Sequence, residues 1–228
     1  MIHLPPKPEL PVFSRLVAWI LRQYFQLLYH QLAWTYDFVA WAVSLGQWKT
    51  WVQAVLPYLH NSLVLELGHG PGHLQIALNQ RGIPCIGVDQ SPQMGGQANR
   101  RLHRQHIQPA LINARTQHLP FQSGSIPQIV ATFPSEYIAD PESLREIYRI
   151  LSPDGSVVVL LLAWITGNSI LEKLAATLFR LTGESPIWND HFLSPARAVG
   201  FSAHSEFIDL PTSRLAFIHL RKPEQHSR

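Results

Sequence analysis

Three glycines at alternate positions, Gly68, Gly70 and Gly72, follow the apolar run Leu63-Val64-Leu65 in the stretch LVLELGHGPGH. A strand that ends in such a turn lets a ligand approach backbone that side chains would otherwise cover. Two carboxylates accompany the turn. Glu66 lies inside the apolar run, an unusual place for a charge, because that strand reads as central and buried. Asp89 closes the next run, IGVD, about twenty residues on, where a carboxylate can accept from two ribose hydroxyls. A dinucleotide site would use G-x-G-x-x-G, with its third glycine at position 73, and this chain has His73 there. The chain spells G-x-G-x-G instead, with Pro71 between the last two glycines. Proline removes one donor from a phosphate cradle but suits the first turn of a following helix. The loop is therefore built for close approach more than for anion binding. Each acid also has a plainer reading, Asp89 as the neighbour of a helix N-cap in DQSP and Glu66 as a buried acid satisfied by backbone donors.

Short apolar runs alternating with helical stretches must hold these residues. Strands are expected at 63–67, 84–88, 109–113, 128–133 and 155–162, with helices at 72–81, 92–104 and 142–151. Strand–helix alternation at this spacing signals a parallel sheet with helices on both faces. After a further helix over 169–181, the runs FSAHSEFIDL and SRLAFIHLRK, separated by PT, predict an antiparallel hairpin at one sheet edge. No internal repeat or low-complexity linker interrupts the pattern.

Ahead of the first strand, PVFSRLVAWILRQYFQLLYHQL is mostly apolar, with Arg15, Arg22 and Gln26 forming a narrow polar stripe at helical spacing. Its arginines argue against a membrane span. It fits an amphipathic helix packed on its own domain, or one lying on a membrane surface or lining a greasy substrate mouth. Trp19, Trp34, Trp41, Trp48 and Trp51 crowd the same N-terminal third, which suits an apolar ligand, a lipid interface or a core. The expected organisation is an N-terminal helical cap over 1–58 and a cofactor-binding domain over 59–228.

Composition narrows the partners. With 46% hydrophobic and 14% charged residues in 228, the chain is globular and long enough for a full core. A net charge of +3, dispersed as single Arg and Lys residues, is no nucleic-acid tract. The lone Cys85, in IPCIGV, permits no disulfide within the chain and suits a reducing cytoplasm. The opening MIHLPPKPELPVF lacks the basic and apolar regions of a secretory signal. No Cys/His cluster has metal-ligand spacing, so no metal is expected.

LELGHGPGHL, GVDQSPQM, QHLPF and REIYRILSPDGSVVVL together resemble the successive motifs of the class I S-adenosylmethionine-dependent methyltransferases. The similarity is to the small-molecule and quinone or lipid branch, and it runs over about residues 30–221. It includes LAWTYDFVA, similar to the helix that caps the cofactor in that branch. The resemblance implies a Rossmann-like, seven-stranded α/β sheet with helices on both faces and the closing hairpin, S-adenosylmethionine as cofactor and S-adenosylhomocysteine as product.

By the same resemblance, Gly68, Gly70 and Gly72 lie under the methionine portion and ribose, and Glu66 helps to hold the ammonium group. Asp89 takes the ribose hydroxyls, Gln90 lies beside the adenine, and Met94 packs on the ring. Tyr36 of the capping helix and Phe133 after the fourth strand complete the cofactor set. Where the family carries an acid before its LPF, this chain has Arg115, which can stack on adenine but cannot accept from its amine. Backbone groups near Thr116 and Gln117 then replace that contact. A second departure, SIPQIV in place of the family's F-D-x-V, reads as packing.

The implied reaction is attack by a substrate nucleophile on a sulfonium methyl, for which the protein mainly supplies alignment and exclusion of water. A hydroxyl or carbon nucleophile needs a general base. Glu136 and Tyr137, just after the fourth strand, are the catalytic candidates, against a solvated loop acid for Glu136. FPSEY lacks the asparagine and second proline of the N-P-P-Y motif it superficially resembles. His118 and His191 are alternative bases. The acceptor is a small, hydrophobic molecule, aromatic, quinone or lipid-like, approached under a cover that includes Phe25, Tyr29 and Tyr36. No nucleic-acid partner is expected, peripheral membrane contact would run through the N-terminal helix, and no oligomeric state is assigned. A non-catalytic S-adenosylmethionine-binding protein and a nucleotide-dependent oxidoreductase remain the alternatives, the missing glycine at position 73 standing against the latter.

Overall fold

The computed structural model describes residues 44–166 and 193–223. Seven strands among them form one sheet: β1 (Val64–Leu67), β2 (Cys85–Asp89), β3 (Leu111–Asn113), β4 (Ile126–Thr132), β5 (Leu151–Ile165), β6 (Ser202–Leu210) and β7 (Ser213–Arg221), in the order β3-β2-β1-β4-β5-β7-β6. The first five pair in parallel, and β7 closes antiparallel against both β5 and β6. The expected parallel sheet and closing hairpin are both present. The strand order reverses between β1 and β4, and the loops beyond the carboxyl ends of β1, β2 and β4 surround the crevice there.

Five α-helices lie among the described residues: α1 (Trp48–Gln53), α2 (His73–Gln80), α3 (Pro92–Arg104), α4 (Pro141–Ile150) and α5 (Ser194–Val199). Their starts follow from local chemistry. Ser91 accepts from the Met94 amide and caps α3, Asp140 accepts from the Ser143 amide and caps α4, and each is followed by proline at the first helical position. Gly72, in a left-handed conformation, turns the chain into α2.

Strand alternation sorts β1 between two cores. Leu65 and Leu67 join Ile147 and Ile150 of α4 and Ala196 of α5 on one face. Val64 joins Leu74 and Leu78 of α2 on the other, together with Trp51, Val52 and Val55 from the chain around α1. The described part of the proposed cap, 44–58, is thus packed into the same core as the sheet. Trp51 donates its indole N–H to Ser213 Oγ at 2.9 Å, tying α1 to the last strand.

β5 is longer than its sequence suggests. It starts where α4 ends, at Leu151, passes through Asp154 at φ 58°, and regains register with β4 only at Ser156. The turn residues of SPDG concealed that first segment. The helix expected at 169–181 and the amphipathic stretch before residue 44 lie outside the described residues.

Candidate active site

The glycine loop opens a cleft of about 460 Å³. Glu66, Gly68, Gly70, Asp89, Gln90, Thr116, Gln117, Phe133, Glu136 and Tyr137, all picked from the sequence, line it. The three glycines, each at positive φ, serve three purposes. A side-chain carbon at Gly68 would meet the Tyr137 hydroxyl at 2.7 Å, and one at Gly72 would meet Ala98 of α3 at 3.1 Å. At Gly70 nothing lies within 4 Å, so this is the glycine whose backbone faces open cleft. The outer two are glycines because the protein itself packs against them, and Gly70, which lines the cleft with Gly68, has open space where a side chain would stand.

Asp89 and the loop form one unit. Its Oδ2 accepts from the Gly70 amide at 2.9 Å and its Oδ1 from the Ser91 amide at 2.8 Å. A carboxylate has about four acceptor positions, so two remain for hydroxyl donors. His69 holds the other side of Gly70: its Nδ1 lies 2.7 Å from the Gly70 carbonyl, and an oxygen acceptor there makes Nδ1 the donor. The ring sits in the space left by Gly87, where a side-chain carbon would lie 2.9 Å from it. Burial pushes the imidazole below its ordinary range, with Asp89 pulling the other way. From α3, Arg101 reaches the Pro71 carbonyl at 2.8 Å and steadies the end of the loop.

Glu66 is 1% exposed and lies on the face of the sheet that α2 covers. Gln75 Nε2 donates to its Oε2 at 2.6 Å, and the Cys85 thiol donates to Gln75 Oε1 at 3.1 Å. Burial, with a smaller push from Asp89, raises the Glu66 carboxyl to about 8, against the lowering effect of the Gln75 donor. The neutral form is therefore favoured at neutral pH.

The opposite wall carries the aromatic groups. Phe133 holds φ 49°, rare for a bulky residue, and stacks on Trp48 of α1 with ring centroids 4.5 Å apart. Trp48 and Val52 bring α1 to the cleft. Tyr137 donates its hydroxyl to the Leu67 carbonyl at 3.0 Å, while Glu136 is exposed at the rim. Gln117 donates to Asp140 Oδ2 at 3.0 Å, which fixes the loop after β3 to the cap of α4.

Three expected cofactor residues do not line this cleft: Gly72, which packs on Ala98 of α3, Met94 and Arg115. Met94 is fully buried, because the Ser91 cap turns the first turn of α3 inward and sends its side chain to the core. Arg115 is exposed and outside the lining, although its neighbours Ala114 and Thr116 belong to it, at the start of a turn in which the His118 amide donates to the Arg115 carbonyl at 3.0 Å. His118 is exposed and away from the cleft. Tyr36, Phe25, Tyr29 and His191 lie outside the described residues. Among residues not singled out from the sequence, His69 stands inside the glycine loop itself. Gln75 was detectable as a polar residue on the buried side of α2. Among the described residues no cluster could hold a metal ion.

Residues 65–159 match the family model described as a methyltransferase domain. Among curated relatives, the demethylmenaquinone methyltransferase of Thermus thermophilus is 28% identical over 139 residues, covering 58% of this chain and 63% of the relative. The ubiquinone/menaquinone biosynthesis C-methyltransferase of Geotalea daltonii is 24% identical over 204 residues, covering 84% of this chain and 80% of the relative. The chain thus spans less than two thirds of the length of the Thermus methyltransferase. Among solved structures, phosphoethanolamine N-methyltransferase 2 of Haemonchus contortus, in complex with S-adenosyl-L-methionine, superposes with a TM-score of 0.60 at 16% identity, covering 87% of this chain and 60% of that one. The class I methyltransferase resemblance read from the motifs holds for both family and fold.

Proposed function

We propose that the chain is an S-adenosylmethionine-dependent methyltransferase acting on a small hydrophobic acceptor of the quinone or aromatic lipid kind. The observation that carries this reading is Gly70, whose exposed backbone lies in a cleft between an acid with two free acceptor positions and a buried carboxyl. These residues fit a sulfonium nucleoside. Asp89 would take the ribose hydroxyls, Glu66 would meet the ammonium group, and the backbone beside Thr116 and Gln117 would meet the adenine edge. The cofactor supplies an electrophilic methyl group on a good leaving thioether.

What the chain supplies is placement and dryness. The loop is held by Asp89, His69 and Arg101 before any ligand arrives, so little ordering remains to be done on binding. Trp48, Val52 and Phe133 form an apolar wall opposite, which favours an acceptor without charge and keeps water from the reacting groups. Glu136, exposed at the rim, is the residue able to accept a proton from an acceptor hydroxyl or activated carbon. Tyr137, committed to the Leu67 carbonyl, serves as a wall of the methionine end. The named activities of the Thermus and Geotalea relatives, both quinone-pathway methyltransferases, support the acceptor class. Acceptors of that kind reside in membranes. Among the described residues no helix is long and apolar enough to cross one, and contact would be peripheral, through the segment ahead of α1.

His73 in place of a third glycine disfavours a nicotinamide dinucleotide. Thermal shift separates the readings. S-adenosylhomocysteine should raise the melting temperature while NAD and NADP leave it unchanged, and transfer of a labelled methyl group to hydroxyquinones should then follow. A shift with NAD alone would overturn the assignment, and binding without transfer to any quinone or phenol would leave a binding protein.

A further inference from the structure

We propose that Gln75 and Cys85 are positioning residues for Glu66, and that uptake of the cofactor's ammonium group ionises this carboxyl and releases its proton to solvent. The inference rests on the cofactor reading above and adds a proton to it. Glu66 is 1% exposed on the α2 side of β1 and lines the cleft. Among the described residues its side chain makes one hydrogen bond, from Gln75 Nε2 at 2.6 Å, and no ion pair. A carboxyl so placed, with no cation beside it, keeps its proton while the cleft is empty.

The orientation of Gln75 is what prepares the ionised state. An amide can present either its oxygen or its nitrogen to a carboxyl, and only the nitrogen favours the carboxylate. Cys85 decides between them. Its thiol lies 3.1 Å from Gln75 Oε1, and burial together with Glu66 pushes the thiol up to about 11, so the thiol stays a donor at any ordinary pH. With Oε1 held by Cys85, Nε2 is turned to Glu66. The hydrogen bonds run in one direction, from thiol to amide to carboxyl.

The groups that interact with Glu66 supply no positive charge. β2 contributes Cys85 and Asp89, the latter adding a repulsion that favours the neutral acid. β4 places Val130 opposite it. His69, from the loop, is neutral because burial holds it below its ordinary range. His73 of α2 and Glu136 and Tyr137 of the turn after β4 line the same cleft. A protonated amine brought to Glu66 would therefore be the first cation paired with it. The acid's O–H bond breaks, the proton leaves with water, and the carboxylate pairs with the ammonium while still accepting from Gln75. No covalent bond to the ligand forms.

The test is calorimetric titration of the full chain with S-adenosylhomocysteine in buffers of different ionisation enthalpy. The dependence of the observed heat on the buffer counts protons. With Glu66 near 8, release should be about 0.9 proton at pH 7, where the ligand's amine is already protonated, with affinity rising about tenfold from pH 6 to pH 7. Glu66→Gln should bind without release or pH dependence. Cys85→Ala should move the midpoint of the affinity profile upward, and Cys85→Ser, which still donates, should restore it. A role in packing alone would lower the melting temperature of Cys85→Ala and leave that midpoint in place, which would overturn the positioning role. Binding by the wild type with no buffer dependence would overturn the proton release and leave the cofactor reading intact. Absence of any binding would overturn both. If the variants fail to fold, carbon NMR of labelled glutamate in the ligand-free wild type decides. A carboxyl titrating between about 7 and 9 supports the proposal, and titration of every glutamate below about 6 overturns it.

Discussion

The Gly70 amide donates to Asp89 Oδ2 at 2.9 Å, so the one loop glycine that faces open cleft is held by the acid at the end of the neighbouring strand. Asp89 is 8% exposed and also receives the Ser91 amide, which places it at the junction of the loop and α3. Asp89→Ala leaves two backbone donors without partners. It should cost about 1–3 kcal/mol in unfolding free energy and a comparable amount in S-adenosylhomocysteine affinity, measured by denaturant titration and calorimetry. Asp89→Asn keeps one acceptor oxygen and should fall between the two.

Gly68 and Tyr137 were fitted to each other. Gly68→Ala places a methyl 2.7 Å from the Tyr137 hydroxyl at φ +70°, combining a clash with the left-handed backbone cost of about 1–2 kcal/mol. Tyr137→Phe alone loses the bond to the Leu67 carbonyl and should cost about 1 kcal/mol. The double variant should be more stable than the sum of the two losses predicts, because removing the hydroxyl relieves the clash. Strict additivity in chemical denaturation would show that the ring moves aside freely.

Glu66 sets a pH dependence of stability. Its folded value of about 8 lies above the ordinary 4.5, so the folded state binds more protons than the unfolded state between those values. Its contribution to stability is therefore complete below about 4.5 and is lost as pH rises to about 8. Glu66→Gln should abolish this part of the decline and melt at a higher temperature than the wild type at pH 8. Melting curves at pH 5 and pH 8 compare the two directly.

Arg115 is exposed and outside the cleft. Arg115→Ala should change stability by no more than about 0.5 kcal/mol and leave S-adenosylhomocysteine affinity within about twofold. A large loss of affinity would mean that the side chain folds over the bound ligand.

Trp48 stacks on Phe133 at 4.5 Å and lines the cleft, so ligand binding should alter its environment. Titration with S-adenosylhomocysteine should change the intrinsic fluorescence, and Trp48→Phe should remove most of that change while the other tryptophans still emit.

Much of this was legible in the chain. The β1–β2 pair, its loop and the hairpin followed from hydrophobic period and glycine spacing, because each is a local pattern. Asp89 and Glu66 were legible because a charge in or at the end of a buried strand stands out. Met94 and Arg115 were assigned to the cleft by position within a motif, and side-chain direction, which a cap or a turn sets residue by residue, sent both elsewhere. Gln75 and His69 belong to contacts between elements. Their roles depend on Cys85, 10 positions away from Gln75, and on the space at Gly87, which no single stretch of sequence displays.

The bond from Trp51 to Ser213 joins residues 162 positions apart. On a ribosome adding roughly 5–20 residues each second, α1 would wait about 8–30 s before its partner strand is even made. During that interval Trp51 and Val52, both fully covered in the finished fold, have no β7 to shelter them. The nascent chain thus carries a greasy N-terminal half ahead of its own lid, and a chaperone able to hold that half should raise the yield of native protein more than one acting after release.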